Sequence, residues 1–297
     1  MYYNNFRRIL RGLDKMHCPT KRLYKILYAD IMNNLNETFE LAKSSMNETP
    51  LKEKYLKNKI WIMWWQGLDE APLLVVNNYR RLNRIFGSKN VILITKKNYK
   101  RYTNISPVII NKVKNGEITF TFWSDIVRYN LLFNNGGLWI DSTVIVSRKI
   151  KDYLEQHCND KFISLSNVKD EYRFISNENW TGWFIGGQRD YKLFRFMNTF
   201  FEVYFENHNS QVDYFLVDDA VYFFYKENEA FRKNIKSLML DWDCYLFFRN
   251  YHSIDTEKLF KLFNMERRFC VQKLTYKIQN NEPKSLYNLA TNYKNIH

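Results

Sequence analysis

Three short apolar runs constrain this chain more than any other feature. They are Ile60-Trp61-Ile62-Met63-Trp64-Trp65, Val91-Ile92-Leu93-Ile94 and Leu138-Trp139-Ile140. None alternates with polar residues, and each is too short for a buried helix. Such runs suit strands covered on both faces, the habit of parallel sheets. Between the first two, residues 72–86 read as a helix with Pro72 in its first turn, where a missing N–H is tolerated. Ile118-Thr119-Phe120 reads as another short strand and residues 124–134 as a helix. Strands alternating with helices predict an α/β fold on a mostly parallel sheet.

The second half is less regular. Phe162-Ile163-Ser164-Leu165 and Trp183-Phe184-Ile185 read as strands, and residues 190–208, 213–227 and 229–240 as helices. The segment around Pro107 reads as polar, with no element assigned to it, and the tail from 254 as helical or irregular. No internal repeat or low-complexity segment interrupts the chain. Residues 1–59 form a separate helical segment, with Leu23, Ile26, Leu27, Ile31 and Leu35 near helical spacing. Two readings of it stand open. It is an amphipathic hairpin packed on the main domain, or a docking element for an anionic membrane face through Arg7, Arg8, Arg11, Lys21, Arg22 and Lys25.

A chain of 297 residues with 45% apolar content can bury a substantial core, which excludes disorder for most of it. The net charge of +14 predicts attraction to an anionic partner. The basic residues are scattered rather than clustered, which argues against a nucleic-acid reader. The 4 cysteines are far apart, without the spacing of a zinc site or a disulfide framework. No signal peptide and no apolar window of about 18 residues is present. The expected location is cytoplasmic, with peripheral contact at the inner membrane face.

The chemistry concentrates in Ser124-Asp125-Ile126-Val127-Arg128-Tyr129 and Gly136-Gly137-Leu138-Trp139-Ile140-Asp141-Ser142-Thr143. Ser124 is expected to cap a helix, with Asp125 in its first turn. Asp125 and Arg128 are three apart and share a face. Gly136 ends the helix. Asp141 follows the apolar run, at the carboxyl end of a strand, where open α/β sheets bind ligands. Each feature alone has an ordinary reading as a surface ion pair, a helix cap or a turn. Together they suit a site for a diphosphate and a hard cation, which needs oxygen ligands. Asp141 would be one such ligand, Arg128 would hold phosphate or sugar oxygens, and Asp125 would accept from sugar hydroxyls.

The same string resembles the S-D-x-x-R and G-G-x-[YW]-x-D-x-[DT] signature of capsular-polysaccharide-synthesis glycosyltransferases. These are related to glycosyltransferase family 32 and, more remotely, to the glucosylating domains of large clostridial toxins. Ile60 to Gly67, with Ala71-Pro72, resembles the first-strand pattern of the capsular group. The resemblance is good over residues 60–148 and weak beyond. It implies a GT-A fold, a nucleoside-diphosphate-sugar donor such as a UDP-sugar, a divalent metal such as Mn²⁺ or Mg²⁺, and retention of configuration. By residue, it assigns Asp125, Arg128, Asp141, Ser142 and Thr143 to the donor, Asp141 and Thr143 to the metal, and Trp65 and Gln66 to the nucleotide base and ribose. Residues 60–148 become the donor half of one domain spanning 60–297, and 149–297 the acceptor half. Thr143 stands where the signature often has a second acid.

Other residues carry open readings. Asp218 is a candidate catalytic group near the reacting carbon, and Asp218 or Asp219 could complete a metal shell; with Asp213 they could equally be a solvated helix face. Trp180, Trp183, Gly186, Gly187 and Gln188 wall a sugar pocket, or form core and a turn. The expected function is transfer of a hexose-type sugar onto a lipid-linked oligosaccharide during surface polysaccharide synthesis. The rival readings are a toxin-like enzyme glycosylating a protein, and a non-enzymatic basic module binding nucleic acid or lipid.

Overall fold

The computed structural model describes residues 2–47, 59–166, 171–238, 242–278 and 282–292. The chain opens with α1 (Tyr2–Lys15) and α2 (Lys21–Ser44). There follow β1 (Ile60–Met63), α3 (Leu73–Phe86), β2 (Val91–Ile94), α4 (Pro107–Lys114), α5 (Phe120–Asn135), β3 (Gly137–Ile140) and β4 (Val144–Val146). The second half adds α6 (Ile150–Gln156), β5 (Phe162–Ser164), β6 (Phe184–Gly187), α7 (Lys192–Asn207), α8 (Leu216–Glu227) and α9 (Glu229–Ser237). It ends with α10 (Leu246–Arg249), α11 (Glu257–Met265), β7 (Val271–Lys273) and α12 (Leu286–Asn292).

Five strands form one sheet in the order β2-β1-β3-β6-β5. β1 runs parallel to β2 and β3, while β6 is antiparallel to both β3 and β5. Only β6 is therefore reversed, and the sheet is mostly parallel. Its apolar runs are apolar throughout because both faces are covered. Trp61, Trp139, Ile185 and Phe162 join the core that includes α2, α5, α7 and α8. Ile60, Ile62, Leu138, Ile140 and Phe184 face the layer of α3, α6 and β4. This mixed α/β arrangement, with helices on both faces, is consistent with a GT-A-like fold. β4 and β7 pair antiparallel in a second, two-stranded sheet.

The N-terminal helices pack as a hairpin on the main body. α2 buries Tyr24, Leu27, Ile31, Leu35 and Phe39 and packs against α7 and α8. Phe39 stacks on Phe223 with ring centroids 4.9 Å apart. Ile26, which the spacing placed in the apolar stripe, is exposed. Of the six cations considered for membrane contact, Arg7 is buried and ion-paired with Asp213, while the other five stay exposed. Among the described residues no helix is long and apolar enough to cross a membrane. Residues 48–58 of the segment 1–59, and residues 239–240 of the expected last helix, lie outside the described residues.

Several elements differ from the sequence expectation. Ile118-Thr119-Phe120 is not a strand. Thr119 caps α5 by accepting from the Phe122 N–H at 3.2 Å, so the helix starts four residues earlier than expected. Ser124 is consequently inside the helix, where its Oγ donates to the Thr121 carbonyl at 2.8 Å. Asp125 is then in the second turn, beyond the first-turn amides that favour an acid. The segment at Pro107 is a helix, with Ser106 as cap and Pro107 in the first turn. β4 and β7, three residues each, are too short to show a period.

Candidate active site at the carboxyl edge of the sheet

The site depends on how α5 reverses into β3. Gly136 ends the helix at φ 65°, its N–H bonded to the Leu132 carbonyl at 2.9 Å. Gly137 follows at φ 93°, and a Cβ there would lie 2.5 Å from the Lys59 carbonyl oxygen. The Trp61 indole closes the turn by donating to the Gly136 carbonyl at 2.8 Å. Only a residue without a side chain allows β3 to start this close to β1. The result sets Arg128 of α5 beside Asp141 at the end of β3.

Arg128 lies between two carboxylates. Its Nη1 donates to Asp125 Oδ1 at 2.5 Å and its Nη2 to Asp141 Oδ1 at 3.0 Å. Its guanidinium carbon stands 5.0 Å from the centre of the Trp139 ring, and Trp139 Nε1 donates to the same Asp141 oxygen at 2.8 Å. A Cβ on Gly182 would come within 3.3 Å of Nη1, so the wall behind the guanidinium is tight. The other oxygen of Asp141 accepts from Lys273 Nζ at 2.7 Å, and that ammonium also donates to Thr143 Oγ1 at 3.0 Å. Lys273 reaches this place because β7 pairs with β4 in the register Val144 opposite Lys273. The turn from Asp141 to Val144 is braced by Asn78, whose amide donates to the Ser142 carbonyl at 2.9 Å.

The two carboxylates are pushed apart in acidity. Burial raises the Asp125 carboxyl above its usual range, more than Arg128 lowers it. Burial also opposes ionisation of Asp141, but Lys273, Arg128 and the Trp139 indole outweigh it and hold that carboxyl below its usual range. Asp141 is thus a fixed anion with both oxygens engaged. A hard cation takes six or more oxygens, with free carboxylate lone pairs among them. The pair that the resemblance assigns to a metal offers one carboxylate and one hydroxyl, both bonded to an ammonium. That donor set does not fit a divalent ion as it stands. Among the described residues no group of three His, Cys, Asp or Glu could hold one either.

A cleft of about 170 Å³ adjoins this cluster, lined by Trp180, Gly182, Trp183, Asp218 and Tyr245 among others. Asp218 Oδ1 accepts from Trp180 Nε1 at 3.0 Å, and burial pushes its carboxyl up to about 6. Trp180, Trp183 and Asp218 therefore meet in one place. Gly186, Gly187 and Gln188 do not join them. Gly186 and Gly187 are squeezed against neighbouring strands, where a Cβ would fall 2.3 Å from the Gly137 and Lys161 carbonyl oxygens respectively. The Gln188 N–H bonds to the Lys161 carbonyl at 3.0 Å. Asp213 and Asp219 are buried at the junction with α1, not on a solvated face.

Trp65 and Gln66 leave β1 at the same carboxyl edge as Asp141, since Trp61 lies opposite Trp139. The Trp65 ring sits 5.1 Å from Tyr99 and 5.7 Å from Trp123, and Gln66 is exposed. Lys273 is the residue that sequence reading missed. It is one of 45 Lys and Arg and follows Asp141 by 132 positions, so nothing local distinguishes it.

The family described as "Capsular polysaccharide synthesis protein" matches this chain over residues 17–295. Comparison with curated proteins and with solved structures finds no match.

Proposed function

The chain belongs to the capsular polysaccharide synthesis protein family, and from that we propose a glycosyltransferase that moves a hexose-type sugar from a nucleoside-diphosphate donor to a growing surface polysaccharide. The observation that carries the reading is Arg128 held between Asp125 and Asp141, at the carboxyl edge of the sheet and beside an aromatic cleft. Carboxylates and a guanidinium fixed in advance suit a reaction governed by positioning and by charge on a leaving diphosphate. A UDP-sugar is the donor proposed, and a lipid-linked oligosaccharide at the membrane face the acceptor.

In this reading the donor sugar lies over Trp180 and Trp183, with Asp125 accepting from its hydroxyls. The bond from C1 to the diphosphate oxygen breaks and its electron pair stays on that oxygen. The acceptor oxygen bonds C1 and yields its proton to Asp218. Configuration at C1 is expected to be retained, as the resemblance implies, and the product's anomeric coupling reads this.

The test follows release of UDP from a panel of UDP-sugars, with and without oligosaccharide acceptor. Asp141→Asn keeps the shape but removes the charge that holds Arg128 and Lys273. It is expected to lower turnover at least a hundredfold, in the range seen when one preorganised electrostatic group is removed. Turnover within twofold of the parent protein overturns the assignment.

A further inference from the structure

We propose that Lys273 occupies the place of the divalent cation at the leaving diphosphate, so that this chain binds its nucleoside diphosphate without a metal ion. The inference rests on the nucleotide-sugar reading above and concerns how that site is charged. Lys273 Nζ bridges Asp141 Oδ2 at 2.7 Å and Thr143 Oγ1 at 3.0 Å, the two side chains the signature assigns to a metal. An ammonium has three donors. Two are directed at Asp141 and Thr143, which leaves the third for a phosphate oxygen.

The charge count agrees once position 143 is included: three acids, Arg128 and a divalent ion carry no net formal charge, and neither do Asp125, Asp141, Arg128 and Lys273 with a threonine at 143. Of the two cations, Lys273 is the accessible one: its side chain keeps 23% exposure against 6% for Arg128. Arg128 is boxed in by Asp125, Asp141, Trp139 and Gly182, and acts as the fixed frame. Lys273 stands 5.8 Å from the ring of Trp183, which lines the cleft. A threonine in place of the second acid then has a reason. A second carboxylate would bind the ammonium as a full ion pair and compete with the phosphate, whereas a hydroxyl orients it without an added charge. As the C1–O bond breaks, the electron pair settles on the β-phosphate oxygen, and Lys273 stabilises it by hydrogen bonding while keeping its proton.

Calorimetric titration with UDP, GDP and dTDP, each in EDTA and in excess Mn²⁺ or Mg²⁺, tests the proposal on the intact chain. The expected result is binding of one nucleoside diphosphate with affinity within about twofold across the three conditions. Lys273→Ala should lose about tenfold or more in EDTA and regain part of it with Mn²⁺, because the Asp141–Thr143 pair is then open. Lys273→Arg should keep metal-free binding. Circular dichroism checks that both variants are folded, and the parent protein decides the question even if they are not. Binding by the parent only with a divalent ion overturns this proposal and leaves the glycosyltransferase reading standing. No binding of any nucleoside diphosphate in any condition overturns both.

Discussion

The buried Arg7–Asp213 pair offers the most direct test of how the N-terminal hairpin is held. Arg7 is 4% exposed and Asp213 fully buried. The guanidinium donates through Nε to Asp213 Oδ1 at 3.0 Å and Oδ2 at 3.1 Å, and through Nη2 to Oδ2 at 2.5 Å. Arg7→Met keeps most of the aliphatic stem and removes every one of these bonds. It leaves Asp213 buried without its cation and next to Asp219, itself buried. Breaking a buried pair from one side costs roughly 3–5 kcal/mol, because a charge is stranded. At roughly 2–4 °C per kcal/mol for a chain this large, the melting temperature should fall by roughly 6–20 °C. Thermal unfolding followed by far-ultraviolet circular dichroism measures it. Removing the stranded acid as well, in Arg7→Met/Asp213→Leu, should recover more than half of the loss. A single variant that melts within 2 °C of the parent refutes the reasoning. It would mean that α1 is not locked to the body and that Arg7 is free for another partner.

Two further outcomes follow from the site. If Asp218 takes the acceptor's proton, turnover should rise about tenfold per pH unit below its value of about 6 and level off above it, since the carboxylate is the active form. Asp218→Asn should remove that rise, and an unchanged profile in the variant counts against the role. Gly137→Ala should cost roughly 2–5 kcal/mol, from a positive φ together with a Cβ pressed on the Lys59 carbonyl. Gly67→Ala, with φ 99° but open space around it, should cost less; equal melting temperatures for the two would show that the close approach does not matter.

What the sequence made legible was what repeats or sits close along the chain. β1, β2 and β3 announced themselves because strands buried on both faces are apolar throughout. Asp125, Arg128 and Asp141 lay within one helix, one turn and one strand, so spacing alone could bring them together. Misreadings arose where local signals competed. Thr119 and Ser124 are both good caps, and only the packing of Phe122 and Trp123 into the core makes Thr119 the winner. The glycines of β6 carried two readings, pocket wall or core and turn, and the close approach of neighbouring carbonyls, which leaves no room for a Cβ, selects the packing one. Lys273 was invisible because its role is set by a ladder between two three-residue strands that carry no pattern of their own.

That ladder also fixes when the site comes into being. Asp125, Arg128 and Asp141 are made together, but the ammonium that completes them is encoded 132 residues after Asp141. At ordinary rates of synthesis the wait is about 7–26 seconds. A one-residue slip of β7 would turn Lys273 to the opposite face and put Gln272 or Leu274 opposite Val144 instead. The same strand anchors the cleft: the Lys273 backbone N–H donates to the Cys244 carbonyl at 2.8 Å, and Cys244 lines the cleft wall, so the pairing that delivers the ammonium also holds the wall beside it.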